Sequence, residues 1–225
     1  MKNNNNNKAV VIFSGGMDST VCLGYALKTF SEVETITFGY GQKHSVEIEQ
    51  AKIIAEKLGV KFNFVDITFM QNIVESALTS NGDITGKHSK NKNLPAAFVP
   101  NRNAMFITIA HAYAQKIGFD NLVIGACQTD EGGYPDCRQS FMDSIQNTLN
   151  MGAESNIIIH APLMYLTKAD TFRMGRDADV LDIVLEDSHT CYNGNRELRF
   201  DWGYGCGTCP NCKLRKEGWE TFTKK

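Results

Sequence analysis

Residues 10–23 read "VVIFSGGMDSTVCL": an apolar strand, two glycines, then a helix-like stretch. Glycines at such a junction let a phosphate approach the backbone. The loop and helix N-terminus then form an anion site from N–H groups alone. The lysine of the familiar loop G-x-x-x-x-G-K-[ST] is missing, and Asp18 stands near its place. Phe13, Ser14, Gly15, Gly16, Met17, Asp18, Ser19 and Thr20 are therefore the candidate nucleotide-binding residues, with Ser14, Ser19 and Thr20 adding hydroxyl donors. Asp18 would repel a bare phosphate unless a divalent cation, Mg²⁺, bridges the two. The plainer alternative is a tight glycine turn with Asp18 favouring the helix start.

The 225 residues suffice for one sizeable α/β domain, with 42% hydrophobic and 21% charged residues as in ordinary globular chains. A net charge of −2 offers no basic excess for a dominant nucleic-acid surface. No apolar run reaches the roughly 18 residues that span a membrane. The start, MKNNNNNK, has no apolar core of a secretory signal and reads as a frayed tail over residues 1–8. Seven cysteines without an export signal point to a reducing compartment, so a cytoplasmic protein is expected.

Apolar runs at 9–13, 35–39, 61–67, 121–126 and 156–163 predict strands, and helix-like stretches cover 18–30, 44–58, 69–78, 101–117, 138–151 and 167–179. Thr167 is the expected N-cap of the last helix, with Asp170 in its first turn. Such alternation implies a doubly wound, mostly parallel sheet with helices on both faces over residues 9–185. Ligands gather beyond the carboxyl ends of such strands. The polar stretch 79–97 reads as a long loop of the kind that forms lids.

Residues 186–225 form a Cys- and Gly-rich tail, in which Cys191, Cys206, Cys209 and Cys212 suffice for a tetrahedral Cys₄ zinc site. With all four positions filled, such a zinc is structural. An iron–sulfur cluster uses the same ligands, and disulfides are disfavoured by compartment. Cys22, Cys127 and Cys137 are read as small buried hydrophobes.

The motif S-G-G-M-D-S-T after an N-terminal strand resembles the pyrophosphate loop of the ATP pyrophosphatase superfamily, whose members split ATP between the α- and β-phosphates. The segments "YGQKHSVE" (40–47), "FVPNRN" (98–103), "TDEGGYPDCR" (129–138) and "PLMYLTKAD" (162–170), with the Cys₄ tail, closely resemble the 7-cyano-7-deazaguanine (preQ0) synthase family from Val10 to about Arg215. Asn101 stands where that family usually has Gly, which asks for a residue tolerating unusual φ. The spacer from Cys191 to Cys206 is longer than the family's usual one.

The resemblance implies an adenine nucleotide alpha hydrolase-like fold with a small C-terminal zinc module. It also implies a ligase making a nitrile from 7-carboxy-7-deazaguanine, ammonia and ATP, for queuosine synthesis, with AMP and pyrophosphate as nucleotide products. Asp18, Arg102, Arg138 and Lys168 are the candidate catalytic residues, the three cations facing an α-phosphate or the substrate carboxylate. Tyr134 is a candidate to stack on the deazaguanine ring, Asp130 and Asp136 to accept from its N–H edge, and Gln42 and His44 to line the ATP side. Structural zinc, Mg²⁺ with ATP, small-molecule substrates, no stable nucleic acid, no membrane and a homodimer complete the expectation. The rivals are a tRNA-modifying enzyme of the same superfamily and a non-catalytic nucleotide-binding module.

Overall fold

The computed structural model describes residues 7–41, 46–74, 96, 98–128 and 134–224. Five parallel strands, β1 (Lys8–Ile12), β2 (Glu32–Gly39), β3 (Lys61–Asp66), β4 (Asn121–Ile124) and β5 (Ile158–His160), lie in the order β3-β2-β1-β4-β5. Val10 of β1 faces Glu34 of β2 on one side and Leu122 of β4 on the other. The chain therefore leaves β1 outward in one direction and returns on its opposite side. Between β1 and β4 the winding reverses, and a crevice opens there at the carboxyl edge.

The pleat of β1 divides the core. Val10 and Ile12 join a layer with Ile36, Phe38, Leu122, Ile107 and Met142, under α3 (Arg102–Ile117) and α4 (Gln139–Ala153). Ala9, Val11 and Phe13 point the other way, under α1 (Met17–Thr29), α2 (Val46–Lys57), α5 (Lys168–Asp177) and α6 (Leu181–Glu186). Strands buried on both faces read as unbroken apolar runs, as β1 and β4 do. Sheet-edge β3 is half exposed, with Phe64 open to solvent.

The anticipated boundaries shift in several places. β1 already begins at Lys8, inside the expected tail, because Lys8 pairs with Glu32. The helix expected at 69–78 is a short 3₁₀ turn, Thr68–Asn72, and residues 75–78 lie outside the described residues. Positions 79–95 and 97 of the expected lid also lie outside them. Strand 156–163 shortens to three residues, while the Cys-rich tail contains a hairpin of β6 (Arg199–Phe200) and β7 (Gly203–Tyr204) and a helix α7 (Pro210–Thr223). Among the described residues, no helix is long and apolar enough to cross a membrane.

Two helix starts carry site residues. At α5, Thr167 Oγ1 accepts from the Asp170 amide while the Asp170 carboxylate accepts from the Thr167 amide, a reciprocal cap that sets Lys168 at the first helical position. At α3 the residue before Arg102 is Asn101, left-handed at φ 58, ψ 19 and making no side-chain cap. The carboxylate of Asp136 substitutes, accepting from the Asn103 amide at 3.1 Å. A left-handed turn costs a Cβ-bearing residue about 1 kcal/mol, less for Asn than for most. Asn101→Gly should therefore leave stability unchanged or slightly raised. Asn101→Ala should lower it by about 1 kcal/mol, read as the shift in urea midpoint at constant slope.

Candidate functional site

The phosphate-loop candidate lies on the crevice between β1 and β4. Gly15 adopts φ 78, and a Cβ there would lie 2.6 Å from the Glu47 carbonyl and 2.7 Å from the Ala51 amide. Only glycine lets α2 press against this turn. The first intrahelical bond of α1 runs from the Thr20 amide to the Gly16 carbonyl at 3.0 Å; of the amides before it, Met17 donates to Thr190 Oγ1, which leaves those of Asp18 and Ser19. These are donors of the kind an anion recruits. The hydroxyls behave differently from expectation. Thr20, fully buried, donates to the Gly16 carbonyl at 2.9 Å, and Ser19 Oγ lies 3.1 Å from that carbonyl and from Ser14 Oγ. They brace the loop from within, and of the three only Ser14 is exposed.

Asp18 has a cation after all. Lys168 Nζ donates to both of its oxygens, at 2.9 and 2.8 Å, with the Lys168 side chain 8% and that of Asp18 27% exposed. The lysine missing from the loop arrives from α5, 150 positions along the chain. Packing against α7 covers it: a Cβ on Gly218 would meet the Lys168 Cβ at 2.5 Å.

Above the loop lies a cavity of about 570 Å³. Ser14, Gly16, Met17, Asp18 and Ser19 line its floor, and Arg102, Glu47 and Tyr40 stand among its walls. Gly15 and Thr20 are not in the lining. Burial works against the charge of Arg102, but Tyr40, Asp136 and Cys137 reverse this and hold its pKa above the ordinary value. Arg102 Nε is buried and has no hydrogen-bond partner among the described residues. Burial pushes the Glu47 carboxyl up to about 7, with Arg102 pulling it down and Cys191 adding to the rise. Glu47 was not foreseen as a site residue; it sits inside a quoted motif, "YGQKHSVE", but its burial is a tertiary effect.

The remaining wall comes from the Cys-rich tail. His189, Thr190, Tyr192, Asn193 and Asn211 line the same cavity. The His189 amide donates to the Gly15 carbonyl at 2.9 Å, and Thr190 Oγ1 accepts from the Met17 amide at 3.3 Å. Just behind this wall, the Sγ atoms of Cys191, Cys206, Cys209 and Cys212 all lie within 4.8 Å of one another. Backbone amides of Thr208 and Cys209 point at Cys206 Sγ, and the Cys206 amide points at Cys191 Sγ. Donation from Cys209 and Cys212 pulls the Cys191 thiol down, while the same clustering pushes Cys212 up. Four sulfurs this close ionise together only around a cation. The set fits one metal ion bound through sulfur.

The other anticipated residues are distributed unevenly. Asp136 is buried on the Asn103 amide at the base of α3, and Arg138 is exposed and outside the cavity lining. Tyr134 stacks on Phe98 at 5.7 Å and hydrogen-bonds Tyr192, which lines the cavity. Cys22 is fully buried as expected, whereas Cys137 is half-buried and reaches the cavity wall. Gln42, His44 and Asp130 lie outside the described residues.

Comparison with known proteins places the chain in a family. The family described as "Queuosine biosynthesis protein QueC" matches residues 8–223. The chain is 50% identical over 216 residues to the 7-cyano-7-deazaguanine synthase of Wolinella succinogenes, covering 95% of this chain and 93% of that one. It is 49% identical over 218 residues to the synthase of the same name from Helicobacter pylori strain P12, covering 96% of each. Among solved structures, a 4-thiouridine synthetase–RNA complex with bound ATP superposes with a TM-score of 0.55 at 18% identity, over 97% of this chain and 54% of that chain. That likeness is one of fold. With half its residues identical over nearly its whole length, and with loop and cysteine cluster both in place, the chain belongs to the 7-cyano-7-deazaguanine synthase family of queuosine biosynthesis.

Proposed function

We propose that the protein converts 7-carboxy-7-deazaguanine and ammonia to 7-cyano-7-deazaguanine, using two molecules of ATP and releasing AMP and pyrophosphate from each. The observation that carries this reading is one cavity with the glycine turn and helix N-terminus of α1 in its floor and a buried guanidinium, Arg102, in its wall. The floor amides hold the leaving pyrophosphate, Lys168, which lies outside the cavity lining, steadies Asp18, and Arg102 neutralises the substrate carboxylate. Asp18 is the loop carboxylate that would hold Mg²⁺ accompanying ATP, and the ion would supply further charge neutralisation there.

A substrate carboxylate oxygen attacks the α-phosphorus, the bond to the β-phosphate bridging oxygen breaks, and pyrophosphate departs. Ammonia attacks the acyl carbon of the adenylate, AMP leaves, and one proton is released, leaving the primary amide. Glu47, poised near neutrality beside Arg102, is the group in the wall suited to take that proton. The amide oxygen then attacks a second ATP, and loss of AMP with the remaining N–H protons gives the nitrile. Each dehydration needs its own activation, so the amide is an obligatory intermediate.

Zinc is the proposed occupant of the cysteine cluster. A tetrahedral ion with bonds of about 2.3 Å sets its sulfurs roughly 3.8 Å apart. Cys206 and Cys212 Sγ are 3.9 Å apart, close to that spacing and short for a cluster of several irons.

Three outcomes test the reading. Elemental analysis should find about one zinc per chain, and Cys206→Ser should lose the metal and precipitate or melt far below wild type; full zinc with normal melting would remove the assignment. Asp18→Asn, which keeps the shape, and Lys168→Ala should each lower kcat on the order of 100-fold in a folded protein. Wild-type turnover in both would return the pair to a structural role. Chromatography of a complete reaction should show AMP and pyrophosphate without ADP. Supplied amide should reach the nitrile with one ATP in place of two, and ADP as main product would sink the mechanism.

A further inference from the structure

Thr190 has its hydrogen-bonding capacity divided in a way that leaves one group for a ligand. Its oxygen accepts from the Met17 amide at 3.3 Å and from Arg215 Nη1 at 3.0 Å. A threonine hydroxyl has two acceptor lone pairs and one hydrogen. Both lone pairs are engaged, so the O–H hydrogen takes the remaining tetrahedral direction. The residue is held from every other side: Asn211 donates to its carbonyl at 3.3 Å, and its neighbours His189 and Cys191 are tied to the Gly15 carbonyl and the cysteine cluster. Thr190 is half-buried and lines the cavity beside Gly16 and Met17.

We propose that Thr190 is a ligand-binding residue whose hydroxyl donates to an oxyanion of the pyrophosphate moiety seated on the loop. The inference rests on the reading of this cavity as the ATP site. Among the loop's own hydroxyls, those of Ser19 and Thr20 face the Gly16 carbonyl and that of Ser14 lies 3.1 Å from Ser19 Oγ, so the wall adds a hydroxyl donor beside the loop's amides. Arg215 adds to its strength, since a hydroxyl accepting from a guanidinium becomes a better donor.

Titration calorimetry of the metal-loaded full chain with Mg²⁺-pyrophosphate tests this, with AMP as control and with metal content and melting recorded for each variant. Thr190→Val should weaken pyrophosphate binding about 10- to 100-fold, the loss expected for a hydrogen bond to a charged group, while AMP affinity stays within about twofold. Thr190→Ser should restore pyrophosphate binding. If Thr190→Val loses the metal, Thr190→Ala is read in its place. Undiminished pyrophosphate binding overturns the assignment and leaves the proposed function standing, as does an equal loss of AMP affinity, which would mark a purely structural role. A wild-type protein that binds neither pyrophosphate nor ATP overturns both.

Discussion

The site hangs on one buried cation. Arg215 is 1% exposed, and its guanidinium donates from Nε to the Trp202 carbonyl at 2.7 Å, from Nη2 to the Val184 carbonyl at 2.6 Å and from Nη1 to Thr190 Oγ1 at 3.0 Å. Those acceptors belong to the β6–β7 hairpin, to α6 and to the strap that touches the phosphate loop. Burial lowers the Arg215 pKa to about 10, with Asp18 and Cys212 pulling it back up, so the group stays charged at neutral pH. A buried charge without its acceptors costs several kcal/mol, so the three elements are held to one arrangement. Gly203 makes room, because a Cβ there would lie close against Arg215 Nη2.

A flexible loop is a poor catalyst's floor, since binding energy would go into ordering it. Here the loop is clamped on three sides: by Ala51 and the Glu47 carbonyl of α2 against Gly15, by the strap at His189 and Thr190, and by its own Ser19 and Thr20. A separate ion pair, Lys57 with Asp187 at 2.7 Å, joins α2 to the start of the strap. Asp187 is buried but Lys57 is half exposed, so solvent screens the pair and its part is to locate the strap more than to add stability. The floor amides are thus directed before any phosphate arrives.

Local signals were legible in the sequence and long-range pairings were not. The strand, glycine turn and helix of residues 10–23 follow from an apolar run meeting Gly-Gly, and the Thr167–Asp170 cap follows from spacing within one turn. Asn101 kept the left-handed backbone that its glycine-like position required. By contrast, the partnership of Asp18 with Lys168 spans 150 positions, and no periodicity encodes it. Arg215 escaped for the same reason: a lone arginine near the C-terminus looks like a solvated charge until its acceptors are placed around it. The cysteine spacing was readable as a metal cluster. Its density masked α7, whose Phe222 and Trp219 pack on Phe172.

The groups around the cysteine cluster suit it to hold a metal beside this site. A divalent ion on four thiolates leaves the centre with two net negative charges, which low-dielectric surroundings resist unless donors and a cation offset them. Backbone N–H groups of residues 206, 208 and 209 supply the donors, and Arg215 supplies the nearby cation. The same guanidinium that offsets the cluster holds Thr190 against the loop. A metal bound at Cys191 would therefore fix the residue immediately after the loop's contact point and brace the short hairpin of β6 and β7, which is too small to be stable alone. The tail is part of the site's construction, because without it the crevice between β1 and β4 would lack the side formed by Thr190, Tyr192, Asn193 and Asn211.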